Sequence, residues 1–254
     1  MTADVWESGD AYEAYVGRWS REVAREFVGR LEVPPGRRWL DVGCGTGALG
    51  ATVLAAAAPA TVTGVDRSAG FLRAAPGSPV RGDALALPFR DGAFDVVVSG
   101  LALNFVPRPA GAVVEWARVV APGGLVAAYV WDYAEGMQMM RLFWDAAADV
   151  DPRAAGRDEA GRFAICRPAA LRDAWAAAGL NNVATGRIEV PTVFAGFDDF
   201  WQPFLGGQGA APAYLATLPA GHREAIRQLL HARVGEHTIA LSAAAWSVRG
   251  FKEV

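Results

Sequence analysis

The stretch Arg38-Trp39-Leu40-Asp41-Val42-Gly43-Cys44-Gly45-Thr46-Gly47-Ala48-Leu49-Gly50 constrains this chain more than any other. A short apolar run carrying one acid opens into glycines at alternate positions, and residues 51–58 then read as helix. Strand, tight turn and helix N-terminus in that order form the place where an α/β sheet receives a nucleotide-like ligand. Glycine lets the backbone come within contact distance of such a ligand, where a Cβ would collide. The turn alone leaves the ligand open.

The pattern downstream repeats strand and helix. Residues 10–33 are expected to be helical, with Tyr12, Tyr15, Trp19, Val23 and Phe27 at three-to-four spacing, and Pro34-Pro35-Gly36 stops them. Residues 60–66 form a second strand ending in Asp66. A short helix follows over 68–75, and Pro76-Gly77-Ser78-Pro79 breaks it before a brief strand over 80–83. Phe94–Ser99 is a continuous apolar strand suited to the middle of a parallel sheet. A helix from Pro109 to Val120, a turn at Pro122-Gly123-Gly124 and a strand over 125–131 complete a doubly wound α/β arrangement.

The second half is less regular. Residues 135–165 read as an inserted helical stretch, 168–178 as a helix, and 187–193 with 239–248 as a closing antiparallel pair of strands. Residues 194–219 look irregular, rich in aromatics and glycine. No repeat or low-complexity linker marks a cut, so one domain over 1–254 is expected. It comprises an N-terminal helical segment (1–36), a ligand-binding half (37–134), and cap insertions with the closing strands (135–254).

Composition excludes several classes of function. A net charge of -3 gives no basic footprint for nucleic acid or an anionic membrane. Two cysteines without CxxC spacing, Cys44 and Cys166, argue against both a disulfide scaffold and a zinc site, and no metal is expected. The N-terminal residues lack an apolar signal core and no run is long and apolar enough to span a bilayer. A cytoplasmic protein without a membrane or nucleic-acid partner, monomeric or homodimeric, is the expectation.

Gly45-Thr46-Gly47-Ala48-Leu49-Gly50 also fits the G-x-G-x-x-G dinucleotide fingerprint, with Asp66 placed to hold a ribose. A nicotinamide-dependent oxidoreductase is therefore one alternative, and a tight turn with no ligand another. Asp41 disfavours a dinucleotide, because a carboxylate just before the first glycine repels a pyrophosphate and no Arg or Lys within the loop offsets it. A ligand carrying an amine would be favoured there.

Leu40-Asp-Val-Gly-Cys-Gly-Thr-Gly47 closely resembles the first motif of class I S-adenosylmethionine-dependent methyltransferases. The resemblance continues in order through Gly64-Val65-Asp66, Gly82-Asp83-Ala84-Leu85-Ala86-Leu87-Pro88-Phe89, Phe94-Asp95-Val-Val-Val-Ser99 and Glu115-Trp-Ala-Arg118-Val-Val-Ala-Pro122-Gly123-Gly124. It covers about residues 38–131 and points to the subgroup that includes quinone-biosynthesis enzymes of the type 11-like kind. It implies a Rossmann-like, seven-stranded, mostly parallel sheet with helices on both faces and a helical, aromatic cap. It also implies S-adenosyl-L-methionine as cofactor and S-adenosyl-L-homocysteine as product.

Residue by residue, the resemblance implies that Asp41, Gly43, Cys44, Gly45 and Gly47 surround the methionyl amine and carboxylate. Asp66 would accept from the ribose hydroxyls, Arg67 or its neighbour would lie along the adenine, and Asp83 with the Ala84 amide would read the adenine edge. The Ser99 carbonyl would lie near the amine, and Arg18 could pair with the cofactor carboxylate.

Methyl transfer is an in-line displacement that needs alignment and water exclusion, and a base only when the nucleophile arrives protonated. His222, His231 and His237 read as surface histidines, and no catalytic residue is assigned. Where related sequences often carry histidine after the fourth strand, this chain has Leu101-Ala-Leu-Asn104. Asn104, Asp132 and Tyr133 are the candidates to face a small, fairly apolar methyl acceptor. Trp144, Phe163, Phe194, Phe197, Phe200, Trp201 and Phe204 are expected to roof its pocket, with Gly206-Gly207-Gln208-Gly209 as a lid or a plain loop. A non-catalytic S-adenosylmethionine-binding protein is the remaining alternative.

Overall fold

The computed structural model describes residues 17–207 and 209–254, apart from the side chain of Arg18. Tyr12, Tyr15, Gln208 and the pairing expected of the Arg18 side chain lie outside the described residues. In chain order the elements are α1 (Arg18–Leu31), β1 (Arg38–Val42), α2 (Ala48–Ala56), β2 (Thr61–Asp66), α3 (Ala69–Leu72), β3 (Ser78–Arg81), β4 (Phe94–Gly100), α4 (Pro109–Val119) and β5 (Val120–Trp131). They continue with α5 (Gln138–Val150), α6 (Glu159–Arg162), α7 (Pro168–Ala177), β6 (Leu180–Phe194), α8 (Phe197–Trp201), α9 (Ala210–Thr217), α10 (Ala220–Val234) and β7 (Ile239–Lys252).

The strands form one seven-stranded sheet in the order β3-β2-β1-β4-β5-β7-β6. Strands β1 to β5 run parallel, and β7 lies antiparallel to β5. Chain order reverses between β1 and β4, so the crevice for a ligand opens where these two strands end. Val96, Val97 and Val98 of β4 are all buried, as a central strand covered on both faces requires.

The described chain divides into two compact units. A sheet unit comprises Ser20–Trp131, Ile165–Ile188 and Ala245–Val254. In it, Phe27 of α1 packs on Tyr129 of β5 with ring centroids 4.7 Å apart. Trp116 of α4 meets Trp175 of α7 edge to face at 6.2 Å, and the Trp175 indole N–H donates to the Val126 carbonyl at 2.9 Å. The buried indole thus supplies both apolar area and a satisfied donor.

A helical unit comprises residues 17–19, Asp132–Ala164 and Glu189–Ala244. Its interior is aromatic: Phe143 stacks on Phe204 at 4.7 Å, and Phe200 meets Phe194 at 5.3 Å and Phe204 at 5.8 Å.

Several boundaries differ from the sequence expectation. The third strand covers Ser78–Arg81 instead of 80–83. It is an edge strand paired only with β2 among the described residues, so Pro79, which lacks an N–H, is tolerated in it. Strand β5 starts at Val120, because Phe94 pairs with Val120 and Val96 with Leu125, which extrudes Ala121-Pro122-Gly123-Gly124 as a bulge. Residues 194–219, expected to be irregular, hold helices α8 and α9. Helix α10 lies outside the elements expected from the sequence, and its Ile226 and Leu230, one turn apart, are both fully buried.

Candidate functional site

The carboxyl ends of β1, β2 and β4 bring together the loop Gly43–Gly47, Asp66 and the segment Ser99–Ala102, all within the sheet unit. The loop is pinned by backbone bonds from the Gly43 and Cys44 amides to the Val65 carbonyl at 2.8 and 3.0 Å. Gly47 takes a left-handed conformation (φ 91°) as the residue capping α2, and a Cβ there would stand 2.1 Å from Pro76 Cδ. At Gly45 (φ 54°) an added Cβ would meet no atom within 4 Å, so the loop leaves room for a ligand on that side.

Asp41 is the most unusual group in this unit. It is 1% exposed, and neither carboxylate oxygen has a hydrogen-bond partner among the described residues. Burial pushes its pKa up from 3.8 to about 7; the Gly50 amide draws it back in part, and the nearby Asp66 carboxylate raises it further. The Gly50 N–H belongs to the first turn of α2, where helix amides have no partner within the helix, but it does not reach hydrogen-bond geometry with Asp41. A buried acid with two unpartnered oxygens is costly by itself and becomes favourable when a cation reaches it. Cys44 lies against Gly64, and burial, with Asp41 and Asp66 nearby, pushes its thiol well above the usual range. A thiol so disfavoured from ionising is a wall of the loop and not a nucleophile.

Asp66 accepts from the Gly45 amide at 3.0 Å through one oxygen and from the Ser68 amide at 2.8 Å through the other. Each carboxylate oxygen has a second lone pair, so both retain capacity for hydroxyl donors. Arg67 is exposed. Gly82 donates to the Asp66 carbonyl at 3.1 Å, which sets Asp83 beside Asp66, and Asp83 turns its own segment by accepting from the Leu85 amide at 2.9 Å. Asp83 and Ala84 lie beyond β3 and not within it, because the strand ends at Arg81. The Ser99 hydroxyl, buried, donates to the Val42 carbonyl at 2.7 Å and ties β4 to the end of β1.

Two features of the β4 end had no sequence signal. Leu101 adopts a left-handed conformation (φ 57°), and Ala102 fills the space where a Cβ on Gly43 would lie, 2.5 Å away. Asn104 follows in a 3-10 turn, buried, with its amide nitrogen unpartnered.

Asp132 and Tyr133 fall in the helical unit and are buried. Asp132 accepts from the Glu135 amide at 3.2 Å and closes the turn into α5, while Tyr133 packs on Phe163 at 5.5 Å. Of the seven aromatics expected to line a pocket, all but Phe163 are buried and form the core of the helical unit. Its histidines are engaged in different ways: His231 approaches Glu236 at 3.2 Å and Phe197 edge-on, and His237 is exposed. His222 is partly covered, with a buried, unpartnered Nδ1, so it departs from the surface histidine expected. No helix among the described residues is long and apolar enough to cross a membrane.

Residues 40–128 match the family model described as a methyltransferase domain. The chain is 32% identical over 194 residues to the 2-methyl-6-phytyl-1,4-hydroquinone methyltransferase of Synechocystis sp., covering 72% of this chain and 59% of that protein. It is 39% identical over 120 residues to the demethylmenaquinone methyltransferase of Symbiobacterium thermophilum, covering 42% and 47% respectively. It therefore spans about half the length of the curated relatives it matches. The solved structure of the YcgJ protein from Bacillus subtilis shares the fold with a TM-score of 0.61, at 17% identity over 92% of this chain and 99% of that one.

Proposed function

With residues 40–128 matching the methyltransferase-domain family model, we propose that the whole chain is a class I S-adenosylmethionine-dependent methyltransferase acting on a small, apolar acceptor of the hydroquinone type. The observation that carries this reading is Asp41: a buried, unpartnered carboxylate beside a glycine loop with open space at Gly45. A pyrophosphate would be repelled there, whereas an amine is drawn in. The hydroquinone acceptor is inferred from the names of two relatives, a hydroquinone methyltransferase and a demethylmenaquinone methyltransferase, and a net charge of -3 speaks against a nucleic-acid acceptor.

In this reading the cofactor supplies an electrophilic methyl group on a sulfonium. Asp41 holds the methionyl amine, and the backbone of Gly43, Cys44, Gly45 and Gly47 follows the methionyl chain, with the Ser99 carbonyl beside the amine. Asp66 takes the ribose hydroxyls with the lone pairs left by Gly45 and Ser68. Asp83 and the Ala84 amide read the adenine edge, with Arg67 along its face. Asn104, whose amide can donate but cannot remove a proton, is assigned to orient the acceptor. Rate then arises from alignment and exclusion of water, and the acceptor becomes nucleophilic by losing its hydroxyl proton to solvent before the site closes, the methyl–sulfur bond breaking as the new bond forms.

Asp132 and Tyr133 have structural work in the turn into α5 and the contact with Phe163, so we assign them no chemistry. We propose that the two units act as a single methyltransferase domain.

Calorimetric titration with S-adenosylmethionine, S-adenosylhomocysteine and NAD tests the cofactor, and transfer of a labelled methyl group over a panel of hydroquinones tests the acceptor. Binding of the first two and labelling of a hydroquinone is the expected result. Binding of NAD alone would overturn the reading.

A further inference from the structure

Helix α4 carries an ion pair whose geometry points at the loop holding Asp83. Glu115 and Arg118, three residues apart on one helix face, join through both oxygens and two guanidinium nitrogens, at 2.8 Å (Nε to Oε2) and 2.7 Å (Nη2 to Oε1). The remaining donors of Arg118 leave the helix. Nη1 donates to the Phe89 carbonyl at 2.9 Å and to Asp91 Oδ1 at 2.6 Å, and Nη2 donates to the Leu87 carbonyl at 3.2 Å. All five N–H groups of the guanidinium are thereby used. Glu115 Oε1 also accepts from the Leu87 amide at 2.7 Å.

The segment held in this way has no strand ladder of its own. Its turns are an Asp83 carboxylate taking the Leu85 amide, an Ala86 amide reaching the Asp83 carbonyl at 3.0 Å, and a Phe89 amide reaching the Leu87 carbonyl at 2.8 Å. A backbone without a ladder needs partners for its polar groups, and at Leu87 and Phe89 the α4 pair provides them. Leu85 also lies against α4, where a Cβ on Gly111 would stand 3.5 Å from it. At its other end the segment is fastened to Asp66 through Gly82. Asp83 and Ala84 therefore lie between two anchors: Asp66 at the candidate ribose position and Glu115–Arg118 on the helix.

We propose that Glu115 and Arg118 are positioning residues for cofactor recognition: without touching the cofactor, they fix the 82–92 loop so that Asp83 and Ala84 read the purine edge. This rests on the methyltransferase reading above. Exposure of Asp91 and partial exposure of Arg118 make the Asp91 arm a minor contributor, and the fork on the two carbonyls and Glu115 the major one. Lysine, a point charge with three donors, cannot span the same set of oxygens.

The test compares binding of S-adenosylhomocysteine with its analogue carrying hypoxanthine in place of adenine, which lacks the ring amino group Asp83 would accept from. Wild type should prefer adenine by roughly tenfold or more, the range for losing a hydrogen bond to the charged, half-buried Asp83 carboxylate. Arg118→Met, which keeps the stem packing, should lower that preference to within about threefold while the fold is retained by circular dichroism. Arg118→Lys should fall between the two. Glu115→Gln, a milder change, gives the same readout if the methionine variant does not fold.

A folded variant that keeps the wild-type preference, whatever its change in melting temperature, overturns the proposal. Failure of the wild-type chain to bind either ligand would instead overturn the methyltransferase reading beneath it.

Discussion

The ionisation of Asp41 should control both cofactor affinity and the stability of the free protein, in opposite directions. With its pKa pushed up to about 7, Asp41 is about one-tenth charged at pH 6 and about nine-tenths charged at pH 8. Only the carboxylate attracts an amine, so the apparent dissociation constant scales inversely with that charged fraction. Affinity for S-adenosylhomocysteine should therefore rise about tenfold from pH 6 to pH 8 and level off above. Asp41→Asn should remove this dependence and weaken binding at pH 8 by roughly ten- to a hundredfold, the worth of a charge-assisted hydrogen bond. The Asn variant carries the titration of the ligand's own amine, so the difference between the two profiles isolates Asp41.

Stability responds with the opposite sign. The folded pKa of Asp41 lies above its unfolded value. Between about pH 4 and 7 the native state keeps a proton that the unfolded state has lost, and stability falls as pH rises through that window. The rise from 3.8 to about 7 corresponds to at most about 4 kcal/mol against the free, charged protein. Asp41→Asn should be stabilising at pH 8 in the absence of cofactor and close to neutral near pH 4. Calorimetric titration in buffers of different ionisation enthalpy, with urea denaturation at both pH values, reads all of these. An affinity that stays level between pH 6 and 8, or an Asn variant no more stable than wild type at pH 8, would refute the reasoning.

Two further substitutions test the frame that holds the site. Gly47→Ala sets a Cβ 2.1 Å from Pro76 Cδ in a left-handed backbone, so a loss of about 2 kcal/mol or more in urea denaturation is expected, with cofactor affinity lowered beside it. Trp175→Phe leaves the Val126 carbonyl without its indole donor inside the sheet unit and should cost about 1–3 kcal/mol by the same measurement.

Most of the sheet was legible because its signals are local. An apolar run such as Phe94–Ser99 and a glycine turn after Val42 mark a strand and its end wherever they occur. Edges and lengths were less legible, since they depend on neighbours: Ser78 and Pro79 belong to a strand only because β2 lies beside them. The aromatics of 194–219 were read as pocket lining, yet most are core, because a ring in the sequence does not say which other rings it will meet. Helix α10 has only Ile226 and Leu230 buried, too sparse an apolar stripe to mark a helix without the neighbours that cover it.

For the candidate site, the residue types and their order were visible in the chain, from Asp41 through Asp66 and Asp83 to Ser99. Through the resemblance those residues imply an amine, a ribose and a purine as the groups they would hold. The physical state of those residues was not visible. Folding buries Asp41 without a hydrogen-bond partner among the described residues, turns Asp66 onto two backbone amides, and bridges Glu115–Arg118 to a loop about thirty residues earlier in the chain. Dielectric environment and long-range hydrogen bonds are properties of the packed molecule, and they determine how strongly those acids hold a charge.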